Sequence, residues 1–283
     1  MRFDTSGPHE VVYEDVEYAS PGGVALLARV YRPADASAGP FPALVDVHGG
    51  AWCYFDRTAD AYFDRLLAAC GVVVVALDFR QGGEHPFPAS LDDVVAGVRY
   101  TRANAARLGV RPDAIGLIGG SSGGHLALLA AMRRDVAAAF VLALWPIADP
   151  LARYHYVVAR IGETPAPDRD RMFDPERLAR AQETHFRDEA TMARASVVRV
   201  LEDKAFECLP PLWVAHPERD ENVTLEMTER LVAAYRHAGG EAELEVFAGV
   251  GHGFANFPGA DADRGVARMR DWLGRALARS ARE

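Results

Sequence analysis

The sequence predicts an α/β fold: a mostly parallel central sheet with an antiparallel N-terminal edge and helices on both faces. Three observations carry this. From residue 43 onward, short apolar runs alternate with longer stretches of helical spacing, and repeated β-α units imply parallel strands. Some of those runs, Val72 to Leu77 above all, are continuously β-branched, as in strands buried on both faces. The chain of 283 residues, 49% hydrophobic, is long enough to bury one large core.

The elements follow in order. Val11 to Tyr18 and Val24 to Tyr31 flank Ser20-Pro21-Gly22-Gly23, which is turn chemistry, so they read as an edge hairpin. Ala43 to Val47 is a short buried strand ending in His48-Gly49-Gly50-Ala51-Trp52. Ala59 to Cys70 is helical, with Gly71 placed as a left-handed cap. Val72 to Leu77 is a strand. Leu91 to Leu108 is a helix whose early Asp92 and Asp93 suit the helix dipole. Ala114 to Ile118 (strand), His125 to Met132 (helix) and Ala138 to Leu144 (strand) come next. Leu212 to Ala215 and Leu244 to Phe247 are strands, and Leu225 to His237 and Gly265 to Ala278 are helices. Between these two groups, the stretch 146–208 has helical character and no convincing strand. A long excursion from the carboxyl end of a strand is usually functional. The chain therefore reads as one domain over 1–283, with 146–208 as a cap or lid insertion. The apolar residues of that stretch (Tyr154, Tyr156, Val157, Val158, Ile161, Met172, Phe173, Leu178 and Phe186) are expected to face a pocket. Its arginines and acids are expected to form a solvated outer face.

Composition excludes several function classes. A net charge of −9 with no basic run argues against nucleic acid. Lys204 is the single lysine, so no Walker-type G-K-[ST] loop exists. Cys53, Cys70 and Cys208 are scattered and unspaced, which suggests reduced thiols rather than a disulfide framework. Met1 to Pro8 lacks the apolar core of a signal peptide, and no apolar run is long enough to span a bilayer. The expected location is the cytoplasm, away from membranes. No metal-ligand spacing such as H-E-x-x-H appears, so no catalytic metal is expected, and the serine chemistry described below is expected to need no cofactor.

The chemistry is carried by Gly119-Gly120-Ser121-Ser122-Gly123-Gly124, at a strand-to-helix turn. G-x-S-x-G in that context marks a nucleophile elbow. The pattern occurs in two registers, nominating Ser121 or Ser122. A serine hydroxyl needs a base to take its proton and a third group to orient that base. Both are expected on loops after later strands. Among nine histidines, His252 lies between glycines at the end of the strand Leu244 to Phe247, the position for the base. His237 reads instead as a helix-end cation, and His9, His155 and His185 as surface or structural residues. Glu218, Asp220 and Glu221 crowd the acid loop. A tetrahedral oxyanion needs preorganised donors. His48-Gly49-Gly50-Ala51 is a loop of the kind that supplies them, together with the N–H of the residue after the nucleophile.

These segments resemble the α/β-hydrolase superfamily and, more narrowly, bacterial carboxylesterases of the hormone-sensitive-lipase type. The resemblance rests on His48 to Trp52, Asp78-Phe79-Arg80 with Glu84 to Ala89, Gly119 to Ala127, Pro217 to Val223 and Gly251 to Phe254. Laid on the family's G-D-S-A-G-G-N-L-A elbow, the chain offers Ser121 as nucleophile and Ser122 as an oxyanion donor beside Gly49 and Gly50. The acid loop G-x-x-D-x-x-V selects Asp220. His48 and Glu84 are implied to support the site rather than react. Ala51 stands where the family has a third glycine, Gly120 where it has an acidic residue, and the N-terminal segment is short for the usual pair of cap helices.

The resemblance implies a serine carboxylesterase acting on small carboxylic esters through an acyl-enzyme, with Ser121, His252 and Asp220 as the triad. The H-G-G-x-W and S-x-G-G-H-L-A forms also resemble arylformamidases, which cleave an N-formyl bond. A non-catalytic receptor of the same fold is the remaining alternative. The implied partner is a small-molecule ester, and a homodimer is an allowed assembly.

Overall fold

The computed structural model describes residues 8–163 and 172–280. The reading of the leader falls on residues 1–7, outside this range, as do residues 164–171 of the 146–208 stretch.

Eight strands form one sheet. They are β1 (Val11–Ala19), β2 (Leu26–Pro33), β3 (Phe41–Val47), β4 (Val73–Leu77), β5 (Val110–Gly120), β6 (Val141–Leu144), β7 (Leu212–Pro217) and β8 (Ala242–Phe247). Their order is β1-β2-β4-β3-β5-β6-β7-β8. The pairs β1/β2 and β2/β4 are antiparallel and the rest parallel, as the sequence predicts. Burial accounts for the apolar runs. Strands β3, β4, β6 and β7 are buried at every residue, whereas β1 and β8 at the edges are not.

Helices cover both faces. On one lie α1 (Ala61–Ala69) and α10 (Ala260–Ser280), packing Phe63, Leu67, Met269 and Leu273 against Leu44 and Ile118. On the other lie α2 (Ala89–Ala103), α4 (Ser122–Ala131) and α9 (Leu225–His237), around Val45, Val47 and Leu117. Each residue of α4 is buried, so it is apolar all round rather than amphipathic.

The predicted helix over 91–108 is two elements, because Asn104 leaves helical geometry (φ −102°, ψ 14°). Its carboxamide donates to the Tyr100 carbonyl, and the one-turn α3 (Ala105–Leu108) ends at left-handed Gly109. The strand expected over 114–118 extends to 110–120, and the last helix begins at Ala260 rather than Gly265.

The 146–208 stretch carries α5 (Pro150–Val158), α6 (Pro175–Phe186), α7 (Glu189–Arg194) and α8 (Val197–Glu202), with no strand among its described residues. Each starts at a polar cap. The side chains of Asp149, Asp174, Asp188 and Ser196 accept the N–H three residues on. Prolines follow Asp149 and Asp174, where a missing N–H costs nothing.

The register brings the carboxyl ends of the parallel strands to one edge: Val47 pairs with Gly119, Gly120 with Leu144, Leu144 with Ala215, and Pro217 with Phe247. The chain runs from β3 to β4 on one side, then returns to β5 on the other. The crevice between β3 and β5 is therefore the switch point, where such sheets bind ligands.

Candidate active site

Two loops meet over that crevice. The turn after β5 places Ser121 at φ 55°, ψ −119°, a conformation that L-residues avoid and that is held here by packing. The Ser121 N–H donates to the Leu144 carbonyl at 2.9 Å, and the Ser121 carbonyl accepts from Ile147 at 3.1 Å. The turn tolerates no side chain at Gly123, where a Cβ would overlap the Val47 carbonyl oxygen.

The Ser121 hydroxyl lies 2.9 Å from His252 Nε2. On the other side of the ring, His252 Nδ1 is 2.8 Å from Asp220 Oδ2. A carboxylate only accepts, so Nδ1 carries the proton and Nε2 is left as the acceptor facing Ser121. Asp220 Oδ1 takes the N–H groups of Asn222 (2.8 Å) and Val223 (2.9 Å), which fixes the carboxylate in place. Glu218 is elsewhere: its Oε2 accepts the Gly249 N–H at 2.7 Å and so ties the acid loop to the histidine loop.

The loop after β3 faces Ser121 from the other side. Gly50 has φ 112°, and a Cβ there would collide with the Tyr54 carbonyl. His48 Nδ1 donates to the Gly49 carbonyl at 2.7 Å, while its ring stacks on Phe79 at 4.4 Å. That bond fixes the peptide plane to which the Gly50 N–H belongs. The N–H groups of Gly49, Gly50 and Ser122 donate to no protein acceptor among the described residues, so three donors remain available beside Ser121. Ala51 (φ 50°) and Trp52 (φ 60°) continue the loop in the left-handed region.

A brace that the sequence did not announce holds this loop. The buried Ser122 hydroxyl accepts the Trp52 N–H at 3.2 Å. The Trp52 indole N–H donates to His125 Nδ1 at 3.2 Å, and His125 Nε2 donates to the Ala195 carbonyl at 2.7 Å. Burial pulls His125 down to about 4. The indole can only donate and the carbonyl only accept, so the neutral ring alone fits. His185, expected to be a surface or structural residue, is buried and stacks on Trp52 (5.5 Å, 8°), and burial pulls it down to about 3. The signal was available: His125 and Leu129 share one face of an apolar helix, so a histidine there has to be buried.

A cavity of about 180 Å³ opens above Ser121. Gly49, Gly50, Trp145 and His252 line it, and α5 and α6 contribute Arg153 and Leu178. Of the apolar residues of 146–208 expected at a pocket, Met172 and Leu178 line this one. Val157 and Phe186 are in the core, and Val158 and Ile161 are exposed. Arg153 departs from the expected solvated face, since it is buried. Glu84 is exposed and makes no hydrogen bond or ion pair among the described residues. No group of three or more His, Cys, Asp or Glu among the described residues is arranged to hold a metal ion. No helix among them is long and apolar enough to cross a membrane.

Comparison with known proteins agrees with this architecture. Residues 44–256 match a family model described as the alpha/beta hydrolase fold. Esterase LipC of Mycobacterium tuberculosis is 30% identical over 249 residues, covering 83% of this chain and 59% of that protein. Esterase LipQ of the same organism is 29% identical over 240 residues, covering 82% of this chain and 55% of that protein. The chain thus spans somewhat more than half the length of these relatives. Among solved structures, a bacterial heroin esterase superposes with a TM-score of 0.77 at 24% identity, covering 98% of this chain and 86% of that one.

Proposed function

The chain belongs to the alpha/beta hydrolase fold family, and we propose that it is a serine carboxylesterase with Ser121 as nucleophile, His252 as base and Asp220 as the residue that orients His252. The observation that carries this reading is the unbroken relay from Ser121 Oγ through His252 to Asp220, with steps of 2.9 and 2.8 Å. The names of LipC and LipQ as esterases point the same way.

In the proposed reaction, Ser121 Oγ bonds to the acyl carbon as its proton passes to His252 Nε2. The carbonyl π electrons move onto oxygen, which the N–H groups of Gly49, Gly50 and Ser122 receive. Asp220 stabilises the imidazolium without taking its proton. The intermediate collapses, the ester C–O bond breaks, and His252 returns the proton to the leaving alkoxide. Water then attacks the acyl-enzyme by the same steps, releasing the acid and restoring Ser121. The 146–208 stretch serves as the cap over this centre, a role supported by the cavity wall that α5 and α6 supply. The free thiols of Cys53, Cys70 and Cys208 suit the cytoplasm.

Paired rates on 4-nitrophenyl butyrate and an N-formyl aryl amide test the reading. The ester is expected to be cleaved faster. Preference for the amide would make the chain an amidohydrolase, and binding without turnover of either would make it a receptor.

A further inference from the structure

Two arginines, Arg153 on α5 and Arg177 on α6, line the cavity over Ser121, and no Asp or Glu does so among the described residues. This is a local excess of positive charge in a chain of net charge −9. Arg177 is half exposed, its Nε lies 3.9 Å from Asp174 Oδ2 in an i,i+3 ion pair, and its guanidinium lies 5.6 Å from the centre of the Tyr54 ring, which also lines the cavity.

Arg153 is the unusual one, being only 1% exposed and held by neutral groups. One terminal nitrogen donates to Gln182 Oε1 at 2.9 Å, the other to Asn222 Oδ1 at 3.0 Å, and Nε to the Asn222 carbonyl at 3.5 Å. Among the described residues it makes no ion pair. Asp220 acts on it only at longer range, and both Asp220 oxygens are engaged by His252 and by two backbone N–H groups. Burial lowers the guanidinium to about 10, so it is still charged at neutral pH. A buried cation without a counter-ion is costly. Three of its five N–H groups are used, leaving one on each terminal nitrogen, and a planar pair of donors is suited to a carboxylate.

We propose that the substrate carries a carboxylate besides its scissile ester, and that Arg153 receives it at the cavity wall. This rests on the esterase reading above. Arg177, at the rim, draws the same charge inward. A guanidinium that merely stapled α5 to α6 and to the acid loop would make the same protein contacts but would give no preference between charged and neutral substrates.

Two pairs of esters test this, one with the carboxylate on the acyl side and one with it on the alcohol side. They are mono-4-nitrophenyl adipate against 4-nitrophenyl hexanoate, and 4-acetoxybenzoate against phenyl acetate. In at least one pair, kcat/KM is expected to be about tenfold or more higher for the acid, the effect of one or two charge-assisted hydrogen bonds. Arg153→Gln should cut that ratio about tenfold or more, and Arg153→Lys should restore part of it. A wild-type ratio at or below one in both pairs overturns the proposal, as does a ratio that survives Arg153→Gln. Folding of the variant is checked by circular dichroism. If it does not fold, competition of adipate and of its diamide against phenyl acetate in the wild-type protein decides. Adipate binding at least about tenfold tighter supports the site, and equal binding overturns it. Hydrolysis of the neutral esters alone defeats only the anion site, whereas hydrolysis of none defeats the esterase reading itself.

Discussion

Ser121 and Ser122 are neighbours in sequence, and each opens a chain of hydrogen bonds through a histidine, yet the two chains have opposite electrostatics. From Ser121 the path runs to His252 and ends on a carboxylate, Asp220. From Ser122 it runs through Trp52 and His125 to a backbone carbonyl, that of Ala195. In the first, the carboxylate accepts the Nδ1–H hydrogen bond and leaves Nε2 facing the Ser121 hydroxyl, so the ring is placed to take and return a proton. In the second, burial and a donor-only indole hold the ring neutral. The difference teaches that the far partner decides a histidine's task, not the serine beside it.

The largest effects should come from breaking the Ser121 chain. Ser121→Ala and His252→Ala are each expected to lower kcat on a nitrophenyl ester by about 10⁶-fold, and Asp220→Asn by about 10⁴-fold, with folding unchanged by circular dichroism. A loss under tenfold for any of the three would mean that the relay is not the engine of the reaction.

Breaking the Ser122 chain should show mainly in stability. His125→Phe leaves the Trp52 indole N–H and the Ala195 carbonyl unpaired, at a cost of about 3 kcal/mol in urea unfolding. The same histidine makes stability depend on pH. Its folded value, about 4, lies below its unfolded value of 6.5, so the unfolded chain binds the proton first. Its contribution is thus complete above pH 6.5 and is lost as pH falls from there towards 4. Unfolding followed across that window should be steeper in pH for the wild type than for His125→Phe, and equal slopes would remove the neutral-ring account.

The smallest effect belongs to Ser122→Ala. The Trp52 N–H loses its acceptor at a cost of about 1 kcal/mol, while the Ser122 N–H remains. Steady-state kinetics should show kcat reduced by less than about tenfold, and a loss approaching that of Ser121→Ala would merge the two chains into one.

Much of this was legible in the sequence, for a physical reason. Strands buried on both faces leave continuous apolar runs, and the elbow and the loop of Gly49 and Gly50 need glycine where backbones touch. Helix starts inside 146–208 coincide with Asp149-Pro150 and Asp174-Pro175. Turn chemistry alone offered two serines and three acids, because selection among them is tertiary. Asp220 is distinguished by His252, which lies far from it along the chain, while its two backbone N–H donors, from Asn222 and Val223, are local. Arg153 is buried where the sequence leads one to expect a solvated charge. It sits four residues before buried Val157 on α5, so spacing put it on the inner face, but nothing local reveals that amides rather than acids await it there. Glu84 shows the converse, a residue placed by resemblance that is exposed and makes no hydrogen bond or ion pair among the described residues.

In the proposed reaction Ser121, not Ser122, makes the bond to the acyl group. Reaction with a fluorophosphonate followed by peptide mass spectrometry tests it in one step. The predicted result is a single adduct on Ser121 that disappears in His252→Ala. An adduct on Ser122, or on neither serine, would contradict the account.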